Sequence, residues 1–193
     1  MKKIDQNIAP FYNAIQAVQR LLAKFNHRGV IIGGIAVGFL GKPRYTADVD
    51  AMFLLSTDDI PQFLESASAE KIIPRIEAAA EFARRNRVML LKHIDSDTPI
   101  DISLGIMPFE EETIERSKIY SFDGLKVRLP TPEDLIIMKA VAHRPKDLED
   151  IRSIVGKQQK LDHARIELWV KAFAEILELP DLWGQINKIL EGQ

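Results

Sequence analysis

Residues 30–34 of the chain read Val-Ile-Ile-Gly-Gly, and after thirteen further residues the sequence reads Asp48-Val49-Asp50. The β-branched run predicts a short strand, and the two glycines predict a turn from that strand into a short helix over residues 35–40. Val49 and the apolar residues 52–55 predict a second strand. This part of the chain is therefore predicted to fold as strand, helix and strand, with the glycine pair at the first turn.

Helical and extended patterns alternate on either side of this segment. Apolar residues at intervals of three and four predict an amphipathic helix over residues 10–27, and helical stretches are predicted between residues 58 and 85. Extended patterns predict four more strands, over residues 87–94, 99–104, 120–122 and 126–129. Asp123-Gly124 lies between the last two and suits a two-residue hairpin turn, so we expect this hairpin to close the sheet region.

From Thr131 onward every periodic segment is helical. Thr131 is a suitable N-cap residue for the first of these helices. It is followed by a proline and by two acidic residues in the first turn. We therefore predict an α/β (α+β) fold with two parts. Residues 1–130 form a core in which a short mixed sheet has helices on one side, and residues 131–193 form a helical C-terminal subdomain that closes over a ligand cleft.

The composition limits the classes of protein that fit this chain. A formal net charge of -2 gives no overall attraction to nucleic acid, so any polyanion site must be local. The absence of cysteine excludes disulfides, thiolate zinc sites and cysteine nucleophiles. No apolar run approaches the roughly 20 residues of a membrane helix, and no signal-peptide core follows the first residues. We expect a cytoplasmic protein with no membrane partner.

Asp48 and Asp50 are the first candidate site residues. Side chains alternate between the two faces of a strand, so these two carboxylates project to one side and Val49 projects to the other. Like charges at this separation repel each other, and a bound cation relieves the repulsion. Hard carboxylate oxygens in this arrangement suit Mg²⁺ or Mn²⁺.

Asp101 supplies a third carboxylate, since in Ile100-Asp101-Ile102 it stands alone on one face of a predicted strand. Two divalent metal ions held by such carboxylates are the arrangement used for in-line phosphoryl and nucleotidyl transfer. Gly33 and Gly34 fit the remaining need, because a turn without side chains lets phosphate oxygens approach backbone N–H groups at a helix start. We expect these glycines to bind the triphosphate of a nucleoside triphosphate.

These motifs together resemble a known family. Gly33-Gly34 followed by Asp48-Val49-Asp50, with the later Asp101, is similar to the DNA polymerase beta-type nucleotidyltransferase superfamily. More narrowly, residues 33–36 and 44–50, followed by Lys139, Arg144 and residues 147–151, resemble the AbiEii-type branch, which includes nucleotidyltransferase toxins of toxin-antitoxin pairs. The resemblance covers roughly residues 28–155.

The resemblance implies a role for each motif. Asp48 and Asp50 would be metal ligands, and Asp101 would be both a metal ligand and the activator of the acceptor hydroxyl. Arg44 and Thr46 correspond to residue types that precede the carboxylates in the family motif, so we expect them to assist nucleotide binding. The implied reaction transfers a nucleoside monophosphate from a nucleoside triphosphate to an acceptor hydroxyl.

Lys139 has support that is independent of the family. Its helix is apolar on almost every side, the pattern of a buried helix, and an unpaired buried ammonium is costly. Lys139 must therefore face a carboxylate or a polyphosphate, and we favour the nucleotide triphosphate. Asp147 and Asp150 lie three residues apart on a predicted helix, where they could pair with Lys139, Arg144 or Arg152. We expect Arg144, Asp147 and Asp150 to position other groups.

Three functions remain open at this point. The first is an enzyme that modifies an RNA or tRNA end or a protein hydroxyl, with an antitoxin as a possible partner. The second is a non-catalytic module of the same fold that binds nucleotide or RNA. The third is an aminoglycoside-type antibiotic nucleotidyltransferase. A phosphate-loop NTPase is excluded because Gly41-Lys42 is followed by Pro43, where serine or threonine would bind the metal.

Overall fold

The computed structural model describes residues 9–122 and 124–192 of the chain. Within these residues, the strands are β1 (Gly29–Ile31), β2 (Val49–Leu54), β3 (Ile72–Pro74), β4 (Val88–His93), β5 (Thr98–Gly105), β6 (Lys118–Phe122) and β7 (Leu125–Leu129). The α-helices are α1 (Tyr12–Lys24), α2 (Gly33–Leu40), α3 (Ile60–Ala69), α4 (Ala79–Asn86), α5 (Pro108–Arg116), α6 (Pro132–Ala142), α7 (Pro145–Lys157), α8 (His163–Ile176) and α9 (Leu182–Leu190).

The first five strands form one mixed sheet in the order β1-β2-β5-β4-β3. β2 and β5 run parallel at its centre, and the other neighbouring strands are antiparallel. In the parallel pair, Asp50 lies opposite Asp101. The fold therefore brings two carboxylates together that are far apart in the sequence.

Alternation along the central strands gives the sheet two different faces. The main hydrophobic core receives every second residue of β2 and β5, namely Val49, Ala51, Phe53, Ile100, Ile102 and Leu104. Asp50 and Asp101 therefore leave the sheet on the opposite face. Further along that opposite face, Met52 packs against Ile114 of α5 and Met138 of α6. The carboxylates thus lie beside an apolar patch that two helices cover.

The prediction of an α/β fold with a mixed sheet is confirmed, and helices follow from Thr131 as predicted. The Thr131 side chain accepts a hydrogen bond from the backbone N–H of Asp134, which caps α6. The prediction of helices on one side of the sheet is wrong, because α5 and α6 also pack on the second face.

Two other details of the predicted sheet are corrected. β3 lies within the region predicted as helical, and at three residues ending in a proline it is too short to show a period. The hairpin of β6 and β7 does not close the main sheet, since the two strands pair with each other as a separate sheet. Asp123, half of the predicted turn, lies outside the described residues.

The division of the chain at residue 130 stays a prediction. Apolar residues from both sides of that point, such as Leu22 of α1 and Ile166 of α8, belong to one continuous core. No helix in the described part of the chain has the length and apolar character needed to cross a membrane.

Candidate active site

The three predicted carboxylates form one cluster. Asp48 directly precedes β2, Asp50 lies within β2, and Asp101 lies in β5. Each offers one oxygen such that all three oxygens lie within 4.8 Å of one another, and each residue is partly exposed. A donor set made only of carboxylate oxygens, open to solvent on one side, fits Mg²⁺ or Mn²⁺.

The electrostatics of the cluster also favour a bound cation. The pKa of the Asp50 carboxyl is raised to about 6, first by burial and then by the neighbouring charges of Asp48 and Asp101, against the opposing charges of Lys139 and Lys146. Burial likewise raises the pKa of Asp101, against the effect of the Arg75 guanidinium. The carboxylates are therefore held close together with too little positive charge to balance them.

Arg75 forms an ion pair with Asp101. Its Nη2 lies 2.8 Å from Oδ1 of Asp101. Arg75 follows directly after the edge strand β3, and its backbone N–H donates to the carbonyl of Leu90 in β4. Because β3 itself is not visible as a pattern in the sequence, no local signal identifies Arg75 as part of the site.

The glycine pair packs directly against Asp50 in β2 and Thr46 in the loop before it. Gly33 has φ +62°, and a Cβ at this position would lie 1.9 Å from Oδ2 of Asp50. A Cβ at Gly34 would lie 2.6 Å from Oγ1 of Thr46. The two residues therefore lack side chains because neighbouring groups of the site occupy that space, which adds a packing role to the predicted role in phosphate binding.

Thr46 and Arg44 fix the loop before β2 in different ways. The Thr46 hydroxyl is buried and donates to Oδ1 of Asp48 at 3.0 Å. Arg44 Nε and Nη2 donate to the two carboxylate oxygens of Asp150 on α7, at 2.6 and 2.8 Å. Such a bidentate ion pair fixes both distance and orientation. The loop is thus tied to Asp48 at one point and to α7 at the other.

Lys139 lies at the centre of a buried ion-pair network. Its Nζ lies 2.9 Å from Oδ1 of Asp147 and 2.8 Å from Oδ2 of Asp150, and the residue is 5% exposed. Arg144 pairs with Asp147 at 2.6 Å. Although burial alone raises the pKa of Asp150, hydrogen bonds from Arg44 and Lys139 hold it below its usual value. These pairs join α6, α7 and the loop before β2.

The carboxylate cluster opens into a cleft of about 490 Å³ between the sheet and α6 and α7. Nine predicted site residues line it: Gly33, Gly34, Arg44, Thr46, Asp48, Asp50, Asp101, Lys139 and Arg144. Asp147 and Asp150 do not line the cleft and instead bind the cations of its wall. Arg152, considered as a partner for them, pairs with Glu149.

Several residues that line the cleft are absent from the sequence prediction. They are Ile32, Tyr45, Ala47, Leu135, Met138, Ala142 and Lys146. Tyr45 is 80% exposed, although it lies between two predicted site residues. Lys146 directly precedes Asp147, a predicted site residue. This neighbourhood is the one sequence signal that could have identified Lys146 as part of the site.

A family model matches residues 10–176, and its description is a nucleotidyltransferase of unknown function (DUF6036). The chain belongs to this family. The match includes the glycine turn, the carboxylate cluster, the ion-pair network and all of α8. No curated protein sequence matches the chain.

Solved structures of nucleotidyltransferases have the same fold. An antigenic nucleotidyltransferase-like protein from Paracoccidioides brasiliensis is similar with a TM-score of 0.56 at 15% identity, over 93% of each chain. The antibiotic-resistance factor ANT(2'')-Ia is similar with a TM-score of 0.54 at 15% identity, over 87% of this chain and 95% of that one. ANT(2'')-Ia in complex with adenylyl-2''-tobramycin gives a TM-score of 0.54 at 16% identity, over 85% and 98%.

Proposed function

We propose that this protein is a metal-dependent nucleotidyltransferase that transfers a nucleoside monophosphate from a nucleoside triphosphate to an acceptor hydroxyl. The observation that carries the proposal is the cluster of Asp48, Asp50 and Asp101, whose oxygens lie within 4.8 Å of one another at the end of a cleft. Membership of a nucleotidyltransferase family and the shared fold support it.

In this proposal Asp48, Asp50 and Asp101 hold Mg²⁺ or Mn²⁺. The metal would supply positive charge to the reacting phosphate and to the attacking and leaving oxygens. The donor set fits such a cation because it contains only carboxylate oxygens, two of them in side chains whose pKa is raised by burial and by mutual repulsion. Thr46 would keep Asp48 oriented through its hydrogen bond.

The reaction requires one bond to form and one to break. The acceptor oxygen attacks the α-phosphorus of the nucleotide, the bond from that phosphorus to the bridging oxygen breaks, and pyrophosphate leaves. We assign the acceptance of the hydroxyl proton to the Asp101 carboxylate, which is partly exposed in the cleft. Arg75 would balance the charge of that carboxylate until the metal binds.

The nucleotide is assigned to the part of the cleft that is lined by Gly33, Gly34, Arg44, Thr46 and Lys139. Gly33 and Gly34, which begin α2, line the cleft, and backbone N–H groups at a helix start suit phosphate oxygens. Lys139 retains one N–H beyond its two ion pairs. Arg144, Asp147 and Asp150 position Lys139 and Arg44 within this wall of the cleft.

The nature of the acceptor defines the narrower alternatives. An RNA or tRNA end and a protein hydroxyl would fit a role as an AbiEii-like toxin with an antitoxin partner. An aminoglycoside would fit an antibiotic nucleotidyltransferase. A module without turnover is not favoured, because binding alone does not require three repelling carboxylates that share one cleft.

A turnover assay with an acceptor panel tests the proposal. The purified chain is incubated with Mg²⁺ or Mn²⁺ and each α-³²P-labelled nucleoside triphosphate, together with total tRNA, a denatured protein mixture or tobramycin. We expect labelling of one acceptor class and release of pyrophosphate, both abolished by chelation with EDTA. Tight nucleotide binding without any pyrophosphate release would favour the non-catalytic module.

Substitutions connect the activity to the carboxylate cluster. Asp48→Asn, Asp50→Asn and Asp101→Asn keep the side-chain shape but remove the charge, and each should reduce labelling by a factor of at least about 100. Asp181→Asn is the matched control, because Asp181 is exposed and lies outside the cleft. Labelling that persists in the Asp48→Asn/Asp50→Asn double variant would contradict the proposal.

A further inference from the structure

The wall of the cleft formed by α6, α7 and the loop before β2 carries four cationic side chains: Arg44, Lys139, Arg144 and Lys146. A nucleoside triphosphate that enters the cleft brings several negative charges toward three carboxylates that repel it. Nucleotide affinity therefore depends on which of these four cations can contact the phosphates.

Lys139 is not free to move toward a ligand. Asp147 and Asp150 are 0% and 2% exposed, and both hold its ammonium at less than 3 Å. Moving Lys139 onto a phosphate would leave two buried carboxylates with less compensation, which is strongly unfavourable. Its charge is therefore already used to balance the buried acids.

Arg44 and Arg144 are also engaged. Arg44 uses Nε and Nη2 on Asp150 and donates Nη1 to the carbonyl of Tyr45. Arg144 uses Nε and Nη2 on Asp147. Each guanidinium faces a buried carboxylate with a geometry that ligand binding would have to break. Both residues therefore act mainly as structural parts of the wall.

Lys146 differs from these three cations. It is exposed, it lines the cleft, and no carboxylate among residues 9–122 and 124–192 forms an ion pair with it. The charge of Lys146 opposes the rise in the pKa of Asp50, so its ammonium and the carboxylate cluster belong to the same part of the cleft. A flexible, hydrated ammonium on a four-carbon stem can follow a phosphate chain.

We propose that Lys146 holds the β- and γ-phosphates of the nucleotide, while Lys139 keeps the wall of the cleft in place. This inference rests on the proposed function, since it assigns a contact within the same site. Negative charge builds up on pyrophosphate as the bond to the α-phosphorus breaks, and a cation at that position stabilises it.

Isothermal titration in Mg²⁺, without acceptor, tests the assignment. The four nucleoside triphosphates and their monophosphates are titrated into the wild type, Lys146→Ala, Lys146→Arg and the control Lys160→Ala. Lys160 is exposed in the segment after α7 and does not line the cleft. We expect Lys146→Ala to weaken triphosphate binding by about 10- to 50-fold and monophosphate binding by less than about 2-fold. Lys146→Arg should retain most of the triphosphate affinity.

Two outcomes would overturn the assignment in different ways. Equal triphosphate affinity in the wild type and Lys146→Ala, or an equal loss for triphosphate and monophosphate, would remove Lys146 as a phosphate contact and leave the proposed function intact. A wild-type chain that binds no triphosphate would contradict the proposed function together with this inference.

Raised salt should weaken triphosphate binding more in the wild type than in Lys146→Ala.

Discussion

Asp50 and Asp101 are direct neighbours across the only parallel strand pair in the described main sheet, and their side chains leave the sheet on the face opposite the main core. Because the backbone register fixes this neighbourhood, the two carboxylates cannot move far apart to relieve their repulsion. Asp48, placed just before β2, adds a third negative charge. The fold therefore holds three carboxylates that repel one another, and binding of a cation or a proton reduces this repulsion.

The pKa of about 6 for Asp50 predicts how the metal-free protein responds to pH. The ordinary pKa of 3.8 applies to the unfolded chain, so protonation of Asp50 favours the folded state. That stabilisation is complete below pH 3.8 and is lost as the pH rises through about 6. Relative to Asp50→Asn, the wild type should therefore lose up to about 3 kcal/mol of unfolding free energy between these limits.

Chemical denaturation in EDTA at pH 4 to 8 measures this difference. Asp147 and Asp150 titrate in the opposite sense, since their ion pairs lower their pKa, but they are common to both proteins and do not affect the comparison. Asp181→Asn should follow the wild type at every pH. A constant difference between wild type and Asp50→Asn across this range would contradict the raised pKa.

Asp150→Asn tests the ion-pair network behind the cleft. The substitution leaves Arg44 and the buried Lys139 facing a neutral amide, and removing one partner of a buried pair costs about 3 kcal/mol or more. Glu149→Gln, on the same helix, removes an exposed pair with Arg152 and should change the unfolding free energy by no more than about 0.5 kcal/mol. Urea denaturation at pH 7 compares them, and similar losses for both variants would argue against a stabilising role for the network.

The sequence pattern predicts the carboxylate cluster because alternation along a strand is a local property. Asp48 and Asp50 share a face for that reason alone, and the isoleucines beside Asp101 orient it in the same way. The isolation of Lys139 on an apolar helix likewise predicts that it needs a partner. These features need no knowledge of how distant segments pack.

Contacts between distant segments could not be predicted in this way. Arg44 and Asp150 are 106 residues apart, and nothing local to either indicates the bidentate pair. Arg75 follows a three-residue edge strand whose existence depends on pairing with β4. The hairpin of β6 and β7 has the predicted strands, but whether it joins the main sheet depends on tertiary packing.

Gly33→Ala tests the close approach of the glycine turn to the carboxylates. The added Cβ would overlap Oδ2 of Asp50, and the φ of +62° is unfavourable for alanine. We expect a loss of at least about 2 kcal/mol in unfolding free energy and a loss of metal-induced stabilisation, because Asp50 must shift.

Gly156→Ala is the matched control for this substitution. Gly156 lies within α7, where a Cβ would meet no described atom within 4 Å, so alanine should stabilise the helix by about 0.5–1 kcal/mol. Thermal melts with and without Mn²⁺ follow both effects. A Gly33→Ala protein with the stability and Mn²⁺ response of the wild type would show that the turn tolerates a side chain.

Arg75→Ala tests the competition between a guanidinium and a metal ion for Asp101. Arg75 lies 2.8 Å from the Asp101 carboxylate, where its charge repels an incoming divalent cation and occupies a ligand oxygen. Its removal should therefore tighten Mn²⁺ binding by about 3- to 10-fold at pH 8, which is above the pKa of the Asp50 carboxyl. Arg84→Ala, on the exposed face of α4, is the control and should bind Mn²⁺ like the wild type. If Arg75 instead serves to hold Asp101 in the ligand position, Arg75→Ala will bind Mn²⁺ more weakly. Titration followed by the electron paramagnetic resonance signal of free Mn²⁺ distinguishes the two signs directly, because each predicts a shift in the opposite direction.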